Sequence, residues 1–157
     1  MKFISLLRWA IAAALSIGLT HGALAQEFGT RDEAKAMVDA AVDHVKKVGP
    51  EQAFKDFTDK SNKAWQKKDL YVFAYTLEGV NVAHGANEKL LGKNLIDIKD
   101  PNGKPIIREI VGIVTTKGAG WIDYEWAHPQ SKKIESKASY VRKLANYDGF
   151  VGVGVYR

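Results

Sequence analysis

From residue 121 onward the chain is written in three runs of β-branched, aromatic and aliphatic residues: Trp121 to Ala127, Ile134 to Leu144 and Phe150 to Tyr156. The breaks between them, His128-Pro129-Gln130-Ser131 and Asn146-Tyr147-Asp148-Gly149, are short and rich in turn formers. Parallel neighbours need a crossover of about a dozen residues or more, so these three strands run antiparallel to one another. The second half of the chain is thereby committed to an antiparallel sheet, and the rest of the sequence has to cover its faces.

An earlier hairpin extends that sheet. Leu70 to Leu77 reads as a strand, Glu78-Gly79 as a tight turn and Val80 to His84 as the return strand. Tyr71, Phe73, Tyr75 and Leu77 share one face and Val72, Ala74 and Thr76 the other, as in a strand covered on both sides. The covering elements are helical. Thr30-Arg31-Asp32-Glu33 is a capping box, and Ala34, Met37, Val38, Ala41, Val42, Val45 and Val48 follow as one apolar stripe up to Gly49-Pro50. Ala53, Phe54 and Phe57 predict a shorter second helix, and Ile106, Ile107, Ile110, Val111 and Val114, behind Pro105, a third. Residues 85–104 are too long for a plain connection, and segments of that kind in a small domain are usually functional. The expected fold is α+β: one five-stranded antiparallel sheet, a long N-terminal helix on one face and a loop-helix roof over the other.

The first 25 residues read as a secretory leader. Lys2 and Arg8 precede an apolar run from Trp9 to Leu19, and Ala23-Leu24-Ala25 offers a small-x-small site, so cleavage is expected after Ala25. The run is too short to span about 30 Å of hydrocarbon, and no later stretch approaches the roughly 20 apolar residues of a spanning helix. Residues 26–157 then form a single domain of 132 residues, periplasmic or secreted. Cysteine is absent, which excludes disulfides, thiolate nucleophiles and thiolate metal sites. Without Lys2 and Arg8 the 23 basic residues outnumber the 18 acidic ones by three. The lysines are scattered among acids, which argues against a nucleic-acid face and supports at most a mild preference for small anions.

Several short motifs, in order, resemble the single Cache domain of the type 2 subclass, an extracytoplasmic relative of the PAS fold found in bacterial chemoreceptors and sensor kinases. They are Tyr71-Val72-Phe73, Gly79 with Val82-Ala83-His84, Leu91-Gly92-Lys93-Asn94-Leu95, Asp100-Pro101-Asn102-Gly103-Lys104, Trp121 with Tyr124, Trp126 and Pro129, Lys137 with Tyr140, and Gly152-Val153-Gly154-Val155-Tyr156. The resemblance covers nearly all of the chain after the leader. It implies a pocket on the sheet face away from the long helix, roofed by the segment between the second and third strands, with short organic acids as common ligands. Receptors of this type continue from the last strand into a transmembrane helix and a signalling domain, whereas this sequence ends at Arg157. A freestanding binding protein without its own transmitter is therefore expected.

Within that frame the candidate ligand-binding residues are Tyr75, His84, Trp121, Tyr124, Trp126, Lys137 and Tyr140. Alternation puts Ile122, Tyr124 and Trp126 on one face of their strand and Trp121, Asp123 and Glu125 on the other, and either set could line the pocket. Tyr and Trp suit the task because they bury apolar bodies while offering O–H and N–H donors. A carboxylate leaving water needs a cation, for which Lys137 and Arg108 are the candidates. Lys137 and Tyr140 have opposite parity, so both would face one pocket only across a bulge. His84, on the parity of Val80 and Val82, is expected to be partly buried.

Other chemistries find little support. His44, His84 and His128 lie on three separate elements without metal-ligand spacing, Asp100-Pro101-Asn102-Gly103 reads as a turn, and Gly92-Lys93-Asn94 lacks the remainder of a phosphate loop. No serine sits in a nucleophile elbow. The expectation is a non-catalytic domain that binds or senses a short organic acid of the acetate, propionate, pyruvate or lactate class, with no cofactor. A secreted interaction module that dimerises through the 30–48 helix or docks on a membrane receptor is the alternative, and a secreted hydrolase a distant third.

Overall fold

The computed structural model describes residues 27–157; the expected leader lies outside the described residues. Helix α1 (Arg31–Val48) begins at the capping box, where Thr30 Oγ1 accepts from the Glu33 amide at 3.1 Å and Glu33 Oε2 accepts from the Thr30 amide at 2.9 Å. Gly49, at φ 85°, ends it, and Pro50 opens α2 (Pro50–Thr58). A fixed φ and a missing amide cost nothing at the first turn of a helix.

Among the described residues the sheet has six strands: β1 (Gln66–Lys67), β2 (Leu70–Thr76), β3 (Asn81–His84), β4 (Ala119–Ala127), β5 (Ile134–Lys143) and β6 (Gly149–Tyr156). Their order is β1-β2-β6-β5-β4, all antiparallel, with β3 also paired to β2. The sequence predicts five. The sixth, β1, is two residues long and shows no alternation to read; it forms because Lys68, at φ 58°, turns the chain back so that Gln66 meets Tyr71.

The two faces of the sheet are built differently. Toward the helices, Val151, Val153 and Val155 of β6 and Val72 and Ala74 of β2 pack against Ala34, Val38, Ala41, Val42 and Val45 of α1 and Phe54 and Phe57 of α2. The apolar stripe of α1 is thus spent on the core. Toward the other face point Tyr71, Phe73 and Tyr75 of β2, Ile122 and Tyr124 of β4 and Phe150 and Tyr156 of β6, covered by Ile106, Ile107, Ile110 and Val114 of α3 (Ile106–Lys117).

The 85–104 excursion is pinned at both ends. Near the hairpin, Gly92 N–H donates to Asn81 O at 2.8 Å and Leu95 N–H to Gly79 O at 2.8 Å. At the far end the Asp100 turn doubles as a clasp: Oδ1 accepts from the Asn102 and Lys104 amides at 2.9 Å, and Oδ2 from the Glu125 amide of β4 at 3.2 Å. Burial works against the Asp100 carboxylate, but the Lys104, Glu125 and Asn102 amides together hold its pKa below the usual range.

On the α3 side, β6 presents Phe150, Gly152, Gly154 and Tyr156, and the glycines make room. A Cβ at Gly154 would stand 2.1 Å from Lys137 Cε and 2.4 Å from Ser139 Oγ; one at Gly152 would stand 2.4 Å from Phe73 Cζ. Gly112 in α3 is the contrasting case, with nothing within 4 Å of such an atom. Gly154→Ala is therefore expected to destabilise the domain by about 1–3 kcal/mol through overpacking. Gly112→Ala should stabilise it by about 0.5–1 kcal/mol, as for an unobstructed helix glycine. Urea unfolding of both variants checks this; equal effects would mean that the Gly154 gap is not needed.

Candidate ligand-binding site

Lys137 lies in the middle of β5 with its side chain lodged above Gly154, 2 % exposed. Its Nζ donates to Tyr71 Oη at 2.7 Å and sits 4.2 Å from the Tyr71 ring centroid, 5.0 Å from Tyr156, 5.4 Å from Phe73 and 5.9 Å from Tyr124. Ring faces carry the negative end of a quadrupole and accept a cation, though less well than a carboxylate does. Burial pushes the Lys137 pKa down to about 7, and the more distant charge of Asp69 opposes that shift without cancelling it. Asp69 itself is committed, accepting from the amides of Gly29 and Tyr156.

The hydroxyls next to Lys137 form a wire with a definite direction. Tyr156 O–H donates to Ala127 O at 2.8 Å, so in the 3.2 Å contact between Tyr71 and Tyr156 the Tyr71 hydroxyl is the donor. The oxygen of Tyr71 is then free to accept from Lys137. One of the three lysine donors is used in this way.

Beside the amine is a small cavity lined by Phe73, Tyr75, His84, Tyr124, Trp126 and Lys137, and roofed by Ile106, Ile107 and Ile110. Its open volume is about 20 Å³, room for roughly one water, so a larger guest requires the α3 isoleucines to move outward. His84 is 3 % exposed, and its Nδ1 accepts from the Ala86 and Asn87 amides at 3.3 and 3.0 Å. Those bonds place the ring proton on Nε2, while burial, followed by the Lys137 charge, lowers its pKa to about 3. His84 is thus a neutral N–H donor. Tyr124 bonds Ser139 Oγ at 3.0 Å, and Tyr75 stacks on Phe150 at 5.7 Å. Burial raises the pKa of Tyr75, and that of Tyr124 well above the ordinary tyrosine value, so both keep their protons. The lining has several N–H and O–H donors and no carboxylate.

Five of the seven candidates from the sequence, Tyr75, His84, Tyr124, Trp126 and Lys137, therefore share one cavity. Trp121 and Tyr140 do not. They face each other across β4 and β5 on the α1 side, with ring centroids 5.3 Å apart, Arg31 over Trp121 and Lys35 over Tyr140. The β4–β5 register runs unbroken from Trp121–Tyr140 to Tyr124–Lys137, so no bulge brings opposite parities together. Arg108 points away and bonds Asp97 at the surface.

His84 reaches the cavity only because alternation fails in β3. Ala74 pairs with Ala83 and Tyr75 with Asn81, so Val82 is an extra residue, and both it and Ala83 pack toward the helices. His84 is consequently not on the face of Val82, as simple parity requires, and is buried rather than partly buried. The sequence reading also omitted Tyr71 and Phe73, although both share the parity of Tyr75, and Tyr156, which lies opposite Lys137 in register.

The family profile described as Single Cache domain 2 matches residues 21–157. Among curated relatives, the sensor histidine kinase MctS of Rhizobium johnstonii is 35 % identical over 89 residues, 57 % of this chain and 19 % of the relative. The methyl-accepting chemotaxis protein McpP of Pseudomonas putida is 31 % identical over 88 residues, 56 % of this chain and 16 % of the relative. The chain thus spans less than a fifth of the length of either. A solved structure described as the basis for carboxylic acid recognition by a Cache chemosensory domain superposes with TM-score 0.69 at 26 % identity, covering 80 % of this chain and 91 % of that one. A methyl-accepting chemotaxis protein of Vibrio parahaemolyticus superposes with TM-score 0.65 at 29 % identity, covering 80 % and 86 %. A periplasmic sensor domain of a chemotaxis protein gives 0.62 at 26 %, covering 80 % and 88 %. With the profile match running from residue 21 to the last residue and the same fold in solved chemosensory domains, the chain belongs to the single Cache domain 2 family of sensor domains.

Proposed function

We propose that this domain senses a short monocarboxylate of the acetate, propionate, pyruvate or lactate class. Its carboxylate lies against Lys137, and its alkyl end against the α3 isoleucines. The observation that carries this reading is a buried lysine whose bonded partner is a phenol and whose surroundings are rings. Taking an ammonium out of water costs several kcal/mol, and a ligand carboxylate is the group that offsets it. His84 Nε2–H supplies a neutral donor that suits the same anion, and the Trp126 indole N–H, directed at Tyr71, lies beside it. The carboxylic acid recognition described for a similar solved structure supports this chemistry.

In this reading the domain works outside the cytoplasmic membrane, delivered by a leader cut after Ala25, and does no chemistry on its ligand. Among the described residues no helix is long and apolar enough to cross a membrane. A hydrolase acting through His84 loses its base, because Nδ1 is occupied by two amides and the ring resists protonation. An interaction module built on the 30–48 helix loses most of the stripe that motivated it, since Ala34, Val38, Ala41, Val42 and Val45 are buried.

Thermal melting of ligand-stripped protein against the four acids is the direct test. A specific binder at 100 times its Kd adds about 2.7 kcal/mol of stability, and Lys137→Met should abolish the response. Flat melting points across a wide panel of carboxylates would sink the proposal.

The empty site also predicts how stability depends on pH. The folded pKa of Lys137 lies below its unfolded value, so between about pH 7 and pH 10.5 the unfolded chain binds more protons. Stability therefore rises with pH across that window, and the penalty is fully present below it. Lys137→Met should be more stable than the ligand-free parent by roughly 1–4 kcal/mol at pH 6, with the gap narrowing by pH 10. Urea unfolding at the two pH values checks the sign.

A further inference from the structure

The inference below rests on the carboxylate reading and concerns the proton inventory of the same site. Every group that faces the Lys137 amine has a fixed role. From β2, Tyr71 accepts its hydrogen bond, Phe73 offers its ring and Tyr75 lines the cavity; from β3, His84 presents a neutral imidazole. From β4 come Tyr124, bonded to Ser139, and Trp126; from β6 comes Tyr156, bonded to Ala127 O. The α3 side contributes three isoleucines.

The acids nearby are engaged elsewhere. Asp69 is held by two amides, and the cleft on the outer side of Lys137 contains Asp100, Asp123 and Glu125 with Lys104 and Arg157. Asp100 caps its own turn, Asp123 pairs with Arg157 and Arg31, and Glu125 accepts from Ser136. No carboxylate is bonded to the amine among the described residues, and a cavity that fits one water leaves it almost no solvent.

We infer that the empty site holds Lys137 as a neutral amine for much of the time at neutral and alkaline pH, and that a carboxylate binds together with a proton taken from solvent. The balance is simple: carboxylate anion plus amine plus one proton gives a buried carboxylate–ammonium pair of zero net charge, with no covalent bond formed or broken. Lowering of the Lys137 pKa by burial supports the empty state. The other titratable lining groups do not compete, because His84 stays neutral and the buried tyrosines keep their protons across this range. Free carboxylic acids, with pKa near about 4, arrive ionised. The domain would then read acid concentration and pH as a product, responding more strongly to the same carboxylate in mildly acidic surroundings.

Titration calorimetry of the ligand-stripped protein with propionate decides this. At each of pH 6, 7.5 and 9 the measurement is made in phosphate, borate or piperazine buffers paired with amine buffers of different ionisation enthalpy. Proton uptake should be small at pH 6 and approach one per ligand at pH 9, with Kd weakening about tenfold per pH unit above pH 8. Lys137→Arg, whose guanidinium stays charged, should show neither uptake nor the loss of affinity if it binds; if that variant fails to fold, the parent profile alone decides. Propionate binding with constant affinity and no proton exchange from pH 6 to 9 overturns the inference and leaves the carboxylate reading standing. Absence of binding by propionate, acetate, pyruvate and lactate at all three pH values ends both.

Discussion

The architecture is organised around one unfavourable placement, an amine held out of water with rings and a phenol for company. Lys137 can lie there because Gly154 has no side chain. It stays there because Tyr71 accepts from it, and Tyr71 is able to accept because its own proton is handed to Tyr156 and that of Tyr156 to a backbone carbonyl. A break anywhere along this series would leave a buried polar atom without a partner, which costs more than the bond itself contributes. The tyrosines are thus as much a part of the site as the amine.

The sheet separates two tasks by side-chain parity. Its α1 side is a conventional core of alanine, valine and phenylalanine, and tolerates the requirement to be stable. Its α3 side is rich in hydroxyls and rings around a small void, and so is packed less completely than the other. Because strands β2, β5 and β6 contribute alternate residues to both, the apolar layer holds the ring-lined layer in place.

Much of this was legible from the amino acids, and the failures have physical causes. The capping box, the α1 stripe, the β2 hairpin and the three closing strands are local patterns, and each appears where its residues imply. The face of β4 that meets the pocket was undetermined, since Tyr124 and Trp121 are equally aromatic and parity relates residues within a strand without saying which side carries a helix. The parity conflict between Lys137 and Tyr140 was readable and correct, and it separates them. His84 was misread because a bulge at Val82 is set by pairing with β2, a long-range fact with no local signature. Gly152 and Gly154 stand in the closing motif of the sequence, yet their purpose is visible only in the side chains that cross them.

Asp69 gives the arrangement a further consequence. One of its oxygens takes the amide of Gly29, just ahead of α1, and the other takes the amide of Tyr156, at the end of the last strand. The phenol of that same Tyr156 is the second link of the wire from Lys137. A single carboxylate therefore rivets the chain's approach to the domain to its exit from it, within two phenols of the binding cavity. The Lys137 amine is thus connected, through Tyr71 and Tyr156, to the residue that ties the start of α1 to the end of β6.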